Sequence, residues 1–480
     1  MSLPLPSSLI LSVSGARGRV GDAITPELVA GLASRFGAFL LRGASTSGEE
    51  DADSGRATGS DRLVSGTVLI GRDSRTSGPM LARAAAAGLQ SVGCDVVDLG
   101  IVPTPTLLLA VEDAGADGGI GVTASHNPAE WNALKLAGGE GMFLDQERMT
   151  AFQATLREQD PPRAPWDALG EYRRDEGAVE RHLERILRLS VLDVEGLRER
   201  KFHVALDCVR GAGGIIMPAL LESLGCRVSA IGTETDGLFP RDPEPTAAHL
   251  QDLGRLVRES GADIGMAVDP DVDRLALVDE NGEPVGEDLT LALAAAVVLR
   301  RTPGTVVTNL STSQVVEDVV EASGGTLLRA PVGEINVARR MQAEGAVVGG
   351  EGNGGVILPA LHHTRDAPVA AALLLQHLLD EGEALSERVG RWPSYQIVKE
   401  KTPFPREALE GAYAALAEDL DAPVQDTTDG LRLSWPDARR WLHVRPSGTE
   451  PVVRLIAEAS HGDEARSLID RGTAILEGTR

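Results

Sequence analysis

Three aspartates at alternate positions, Asp269, Asp271 and Asp273, stand in the run DPDVDR with Arg274 directly behind them. Alternate side chains of an extended segment point the same way, so three carboxylates converge. They would repel one another without a counter-charge. Hard divalent cations favour such oxygen cages, and Mg2+ held by a few carboxylates keeps room for water or phosphate. An EF-hand is excluded: Glu280 stands at the twelfth position, but Arg274 fills the sixth, where the turn needs glycine. The flanking runs ADIGMAV and LALVDENG read as strands that hold the loop rigid.

Three further clusters carry polar chemistry. TASHNP places Ser125, His126 and Asn127 on an exposed, turn-forming segment, where the serine could be a nucleophile or phosphate carrier. Ten residues on, Lys135 is one of only four lysines beside 42 arginines. A lysine with a depressed pKa can give up its proton and an arginine effectively cannot, so Lys135 is an acid/base candidate. RPSGTEP offers the Arg445 fork, the hydroxyls of Ser447 and Thr449, and Gly448 to turn backbone N–H groups toward a phosphate. GGEGNGG sets Glu351 and Asn353 among glycines, close enough for sugar hydroxyls. Each of these three has a plainer explanation by itself: a polar turn or surface ion pair, a Pro/Gly turn, a flexible hairpin. The aspartate trio is the one strong signal, and four motifs, one per domain, fit a single cleft.

The elements that must position them follow a repeated pattern. A short β-branched strand, a small-residue loop, a helix, a glycine stop and a second strand recur from Thr67 to Leu99, from Phe202 to Gly232 and from Thr305 to Ala330. That is the signature of βαβ units, and the helix-ending glycines supply left-handed caps. Beyond residue 389 the texture changes to a helix over 407–420, three short strands and a final helix near Asp463. The expectation is α/β: three similar mixed-sheet domains and a smaller C-terminal α+β domain around a central cleft. Their boundaries are drawn at 1–165, 166–283, 284–388 and 389–480. Segment 43–62, without a large apolar residue, reads as a solvated loop.

Composition bounds the class. A chain of 480 residues exceeds what one core holds, about 250–300 residues, and 42% apolar with 24% charged residues fits a packed globular protein. The formal charge of −25 repels phosphate backbones and anionic membranes, so neither nucleic acid nor membrane is an expected partner. Arginine over lysine, with the acid excess, fits a GC-rich genome and a salty cytoplasm equally. Cys94, Cys208 and Cys226 have no metal spacing and point to a reducing compartment. The start, MSLPLPSSLILSV, lacks a basic region, and the longest apolar run, Leu289–Leu299, is too short to span a bilayer. The expected location is the cytoplasm.

TASHNP, DPDVDR, GGEGNGG and RPSGTEP, in that order and spacing, resemble the α-D-phosphohexomutase superfamily along nearly the whole chain. GGEGNGGVI, VGEINV and NLSTS are most similar to its archaeal-type phosphoglucosamine mutase and phosphomannomutase branch. The resemblance implies that Ser125 carries a phosphoryl group and that Asp269, Asp271 and Asp273 bind one Mg2+ together with it. Lys135, Arg274, His126 and Arg17 match positions that assist transfer, and Asn127 flanks the serine. Glu351, Asn353 and Gly354 would face the sugar, and Arg445, Ser447, Gly448, Thr449 and Arg454 its phosphate.

The implied reaction interconverts hexose 6- and 1-phosphates through a bisphosphate, which also serves as activator. Glucosamine 6-phosphate is the first-ranked substrate, with mannose and glucose phosphates as alternatives, in a monomer or homodimer. Closure of the fourth domain over the cleft is expected, because a phosphoserine open to water would be hydrolysed. More distant readings are a Mg2+-dependent sugar phosphatase and a sensor that binds without turnover. Two departures bear on the sugar: Gly-Asn-Gly-Gly replaces the Ser-Gly-His of many members, and AEWNALK lacks the usual Asp-Asn-Gly.

Overall fold

A computed structural model describes residues 3–47, 66–447 and 452–479. The strands of the first sheet are β1 (Ile10–Ser12), β2 (Gly15–Arg19), β3 (Thr67–Arg72), β4 (Asp95–Ile101), β5 (Gly118–Val122), β6 (Trp131–Gly138) and β7 (Tyr172–Arg174). The second sheet holds β8 (His203–Asp207), β9 (Arg227–Ile231), β10 (Ile264–Val268) and β11 (Leu275–Val278). The third holds β12 (Thr305–Asn309), β13 (Thr326–Ala330), β14 (Val348–Glu351) and β15 (Gly355–Ile357). The last holds β16 (Gln396–Pro403), β17 (Val424–Asp426), β18 (Leu431–Trp435), β19 (Arg440–Pro446) and β20 (Val452–Ala459).

The first three sheets repeat one design. A central strand (β3, β8 or β12) pairs in parallel with a neighbour on each side. The chain then reverses, so that β5–β6, β10–β11 and β14–β15 are antiparallel. The serine, aspartate and glycine-rich motifs occupy these three reversals, at equivalent places in the repeat. The fourth sheet, ordered β16-β20-β19-β18-β17, is wholly antiparallel, and its β19–β20 connection carries the RPSGTEP motif. Gly93, Gly225 and Gly324 have φ of 88°, 77° and 74°, the left-handed stops expected of them.

Two expectations change. Residues 43–47 extend the helix Pro26–Ser47 rather than starting a loop, because local hydrogen bonding continues where side-chain composition gives no signal; 48–62 lie outside the described residues. The first sheet also runs past 165, since β7 adds in parallel to β4.

Domains two and three share one core. It includes the helices Asp288–Arg301 and Ala367–Glu381, which are buried along most of their length. Helices apolar on every side have no solvent face to present, which explains the apolar run at 289–299. Among the described residues no helix is long and apolar enough to cross a membrane.

A polar junction fixes three domains to one another. Asp366, fully buried, accepts from His182 Nε2 (2.8 Å) and His362 Nε2 (3.0 Å) through Oδ2, while its Oδ1 caps the helix Ala367–Glu381 at Val369 N (3.0 Å). On its far side His182 Nδ1 meets Thr106 Oγ1 of the first domain at 2.8 Å. Replacing Asp366 with alanine strands two buried imidazole N–H groups and removes a cap. The expected cost is about 3 kcal/mol. Thermal unfolding followed by circular dichroism should show the first transition lowered by roughly 5–10 °C; an unmoved transition would contradict this junction.

Candidate active site

The first sheet brings three motif residues to one edge. Antiparallel pairing sets Lys135 opposite Gly121 and Arg17 opposite Ala133, so Arg17 and Lys135 share a face. Between β5 and β6, Asn-Pro turns the chain and Ser125 takes a left-handed φ of 48°. Ser125 Oγ donates to Asp269 Oδ2 at 2.7 Å and lies 3.3 Å from His126 Nδ1. Arg17 Nη1 donates to Asn127 Oδ1 at 3.2 Å.

The aspartates converge, but not along an extended segment as expected. Six residues must close the hairpin beyond the Val268–Leu275 pair, so the chain coils and Val272 adopts φ of 64°. Asp269 Oδ1 accepts the backbone N–H groups of Asp273 (3.1 Å) and Arg274 (3.2 Å), which fixes the coil. All three carboxylates are fully buried, with one oxygen of each within 4.8 Å of the others. Asp271 Oδ2 accepts from Lys135 Nζ (2.7 Å) and Thr104 Oγ1 (2.8 Å); Asp273 Oδ2 accepts from Arg365 Nη2 (2.6 Å). Asp271 Oδ1 and Asp273 Oδ1 are buried and have no hydrogen-bond partner. Orphaned carboxylate oxygens facing a third carboxylate are the donor set a hard divalent cation takes, so the residues fit Mg2+.

The electrostatics follow from these contacts. Burial, then the charges of Asp273 and Asp271, pushes the Asp269 carboxyl well above its ordinary range. Burial pushes Asp271 up too, but the Lys135 ammonium together with hydrogen bonds from Lys135, Asp269 and Thr104 outweighs it, and the net shift is downward. The acid/base candidate Lys135 is lowered by burial, yet Asp271 and Asp273 more than offset that and hold it raised, hence protonated. Arg274 and burial, with Arg17 and Arg365 beyond, drive His126 down to about 2 and keep it neutral. The serine therefore sits between a carboxylate trio and a ring of cations.

The GGEGNGG motif is a hairpin closed by Asn353, whose Oδ1 accepts Gly355 N at 3.2 Å. Gly354, with φ of 85°, lies against β11: its carbonyl accepts Leu275 N at 2.9 Å, and a Cβ there would stand 2.5 Å from the Leu275 oxygen. Glu351 ends β14 and is buried. It accepts from Asn309 Nδ2 (2.9 Å), Gly333 N (3.0 Å) and Arg365 Nη1 (2.8 Å). Arg365 thereby ties the glycine-rich hairpin to Asp273.

Arg445, Ser447 and Arg454 stand apart from the serine, in the fourth domain; Gly448 and Thr449 lie outside the described residues. Pairing of β16, β20 and β19 sets Lys401, Arg454 and Arg445 abreast. Arg445 Nε is 2.9 Å from Asp429 Oδ2, and the same oxygen accepts Val332 N of the third domain at 3.0 Å.

Arg75, Asp73, Thr104, Arg365 and Asp429 were not singled out in the sequence, while Asn309 and Glu334 stood there only as members of NLSTS and VGEINV. In a chain with 42 arginines no single one stands out.

A serine that donates to a buried carboxylate, beside two further carboxylates and among cations, is an arrangement suited to phosphoryl transfer. The chain matches phosphoglucomutase/phosphomannomutase alpha/beta/alpha domain I over residues 54–163, domain II over 180–282, domain III over 286–395 and the C-terminal domain over 396–473. It belongs to that family, as its motifs imply. A phosphoglucomutase/phosphomannomutase of Thermococcus kodakarensis is 37% identical, covering 96% of this chain and 97% of the relative. A probable phosphoglucosamine mutase of Methanopyrus kandleri is 39% identical over 96% of each. Among solved structures, a family protein from Burkholderia thailandensis superposes with a TM-score of 0.81 at 27% identity, covering 98% of this chain and 97% of that one.

His443 marks the contact between the third and fourth domains, with Nδ1 2.9 Å from Ser311 Oγ and Nε2 2.7 Å from the Asp429 carbonyl. Burial, assisted by Arg445 and Arg432, lowers its pKa from 6.5 to about 4. The unfolded chain then takes up this proton first. The stability His443 contributes is complete above 6.5 and is lost as pH falls through about 4. Nitrogen-15 NMR of labelled histidine should find His443 neutral from about pH 8 down to about pH 5; a titration near 6.5 would contradict the buried contact.

Proposed function

We propose that this chain is a phosphohexomutase that moves a phosphoryl group between O6 and O1 of a hexose through Ser125. Glucosamine 6-phosphate is its first-ranked substrate; mannose and glucose phosphates are the alternatives. The observation that carries the reading is Ser125 Oγ resting on Asp269 inside a buried carboxylate trio. Asp269, Asp271 and Asp273, with the oxygen of Ser125, would hold Mg2+, which supplies charge neutralisation at the phosphoryl oxygens.

The protein's own groups do the rest. Asp269 fixes Ser125 Oγ, and the cations Arg17, Arg274 and Lys135 stabilise the charge spread over the transferring group. Lys135, held protonated beside Asp271, gives its proton to Ser125 Oγ as the phosphoryl group leaves, and the proton lost by the attacking sugar hydroxyl restores it. Glu351 and Asn353 orient the sugar ring. Arg445, Ser447 and Arg454, with Gly448 and Thr449, grip the phosphate that is not reacting. A bisphosphate that turns over in the cleft exchanges which phosphate lies in that grip, and closure of the fourth domain would keep water out.

Phosphorus NMR with Mg2+, a trace of sugar bisphosphate and each 6-phosphate in turn tests this. A 1-phosphate should appear, fastest with glucosamine, and Ser125→Ala should abolish it. Lys135→Met should lower turnover about 10²–10⁴-fold. Release of inorganic phosphate alone would mean a phosphatase, and binding without any conversion a sensor.

A further inference from the structure

The serine turn is held by a group that takes no part in the chemistry itself. Arg75, on the loop after β3, is 1% exposed, and each of its five guanidinium N–H donors has an acceptor. Nε donates to Asp73 Oδ2 (2.9 Å). Nη1 donates to the carbonyls of Pro128 (2.6 Å) and Trp131 (3.1 Å), and Nη2 to those of Ser125 (2.5 Å) and Asn127 (2.6 Å). Asp73 completes the hold. Its Oδ1 accepts Arg75 N (2.9 Å), and its Oδ2 accepts Thr123 Oγ1 (2.7 Å), which in turn accepts Ser125 N (3.0 Å). Ser125 is thus fixed at both its N–H and its carbonyl, and both lines lead to Asp73.

Such a double hold has a purpose, because a left-handed φ at a side-chain-bearing residue persists only when its surroundings over-determine it. The outer face of Arg75 is covered from the second domain, by the Phe239 ring 5.0 Å from the guanidinium carbon. Ser74 Oγ donates to the Arg210 carbonyl at 2.8 Å alongside. The stretch that bears Phe239 continues to Glu244, which lies 3.5 Å from Arg274 Nη1.

We propose that Arg75 is the positioning residue that keeps Ser125 in its left-handed turn with Oγ directed at Asp269, and that Phe239 is its cap from the second domain. The proposal rests on Ser125 being the phosphoryl carrier. A lysine keeps the charge but offers three donors from one point and cannot fork to four carbonyls.

Arg75→Lys should lower kcat on the order of 10²-fold with KM within about twofold of the parent. Its crystal structure should show Ser125 out of the left-handed region. In Arg75→Ala, added guanidinium at sub-denaturing concentration should restore turnover several-fold while leaving the parent unchanged. Phe239→Ala, at a half-buried position that a folded chain tolerates, should lower kcat about fivefold. A parental kcat in Arg75→Lys, an unmoved Ser125 turn, or a fall in stability and activity that guanidinium does not reverse would overturn the proposal. If Arg75→Lys does not fold, an unchanged kcat in Phe239→Ala overturns it. Parent protein silent in the phosphorus assay would instead reject Ser125 as carrier, and the crystal structure would still decide whether Arg75 holds the turn.

Discussion

Three carboxylates buried within five residues cannot stay charged without partners, and the positions of those partners organise the molecule. Burying one unpaired ion costs several kcal/mol even after relaxation. The second domain, which carries the aspartates, supplies only part of the compensation: Arg274, whose Nε is 3.7 Å from Asp273 Oδ1, and the two backbone N–H groups on Asp269. Lys135 and the Thr104 hydroxyl come from the first domain and Arg365 from the third, while Asp269 is met by the serine. The loop is therefore buried favourably only where three domains meet. The same neutralisation that permits folding brings Ser125, Lys135 and the aspartates together.

From that centre the contacts continue outward without a break. Arg365 joins Asp273 to Glu351, Glu351 accepts from Gly333, and the adjoining Val332 donates to Asp429 beside Arg445. Every domain contributes its loop at one antiparallel strand reversal, three from the repeated α/β design and the fourth from a wholly antiparallel sheet. Two strained residues, Ser125 and Val272, lie on the facing loops. Their strain is retained by the ion pairs and hydrogen bonds that also define the site.

Much of this is legible in the sequence, for local reasons. The aspartate spacing is a pattern within five residues, and the strands and glycine stops are patterns within a single βαβ unit. Lys135 stands out because lysine is rare. The coil of the aspartate loop is not legible, since nothing in DPDVDR announces that Val272 must turn left-handed to close a six-residue hairpin. Arg75 and Arg365 are invisible for a different reason. Their partners lie 50 and 92 residues away, and one arginine among 42 carries no signal until the fold brings it to a carboxylate or a carbonyl. The raised pKa of Lys135 is likewise a product of assembly, because Asp271 reaches it across 136 residues.

The most direct measurement is anomalous diffraction from crystals soaked in Mn2+, a cation that suits the same oxygen ligands as Mg2+. If the buried trio is the metal-binding hub, one anomalous peak stands among Asp269, Asp271, Asp273 and the Ser125 oxygen, and it vanishes in Asp271→Asn. A peak elsewhere, or none at that position with the protein intact, would contradict the central role given to these carboxylates.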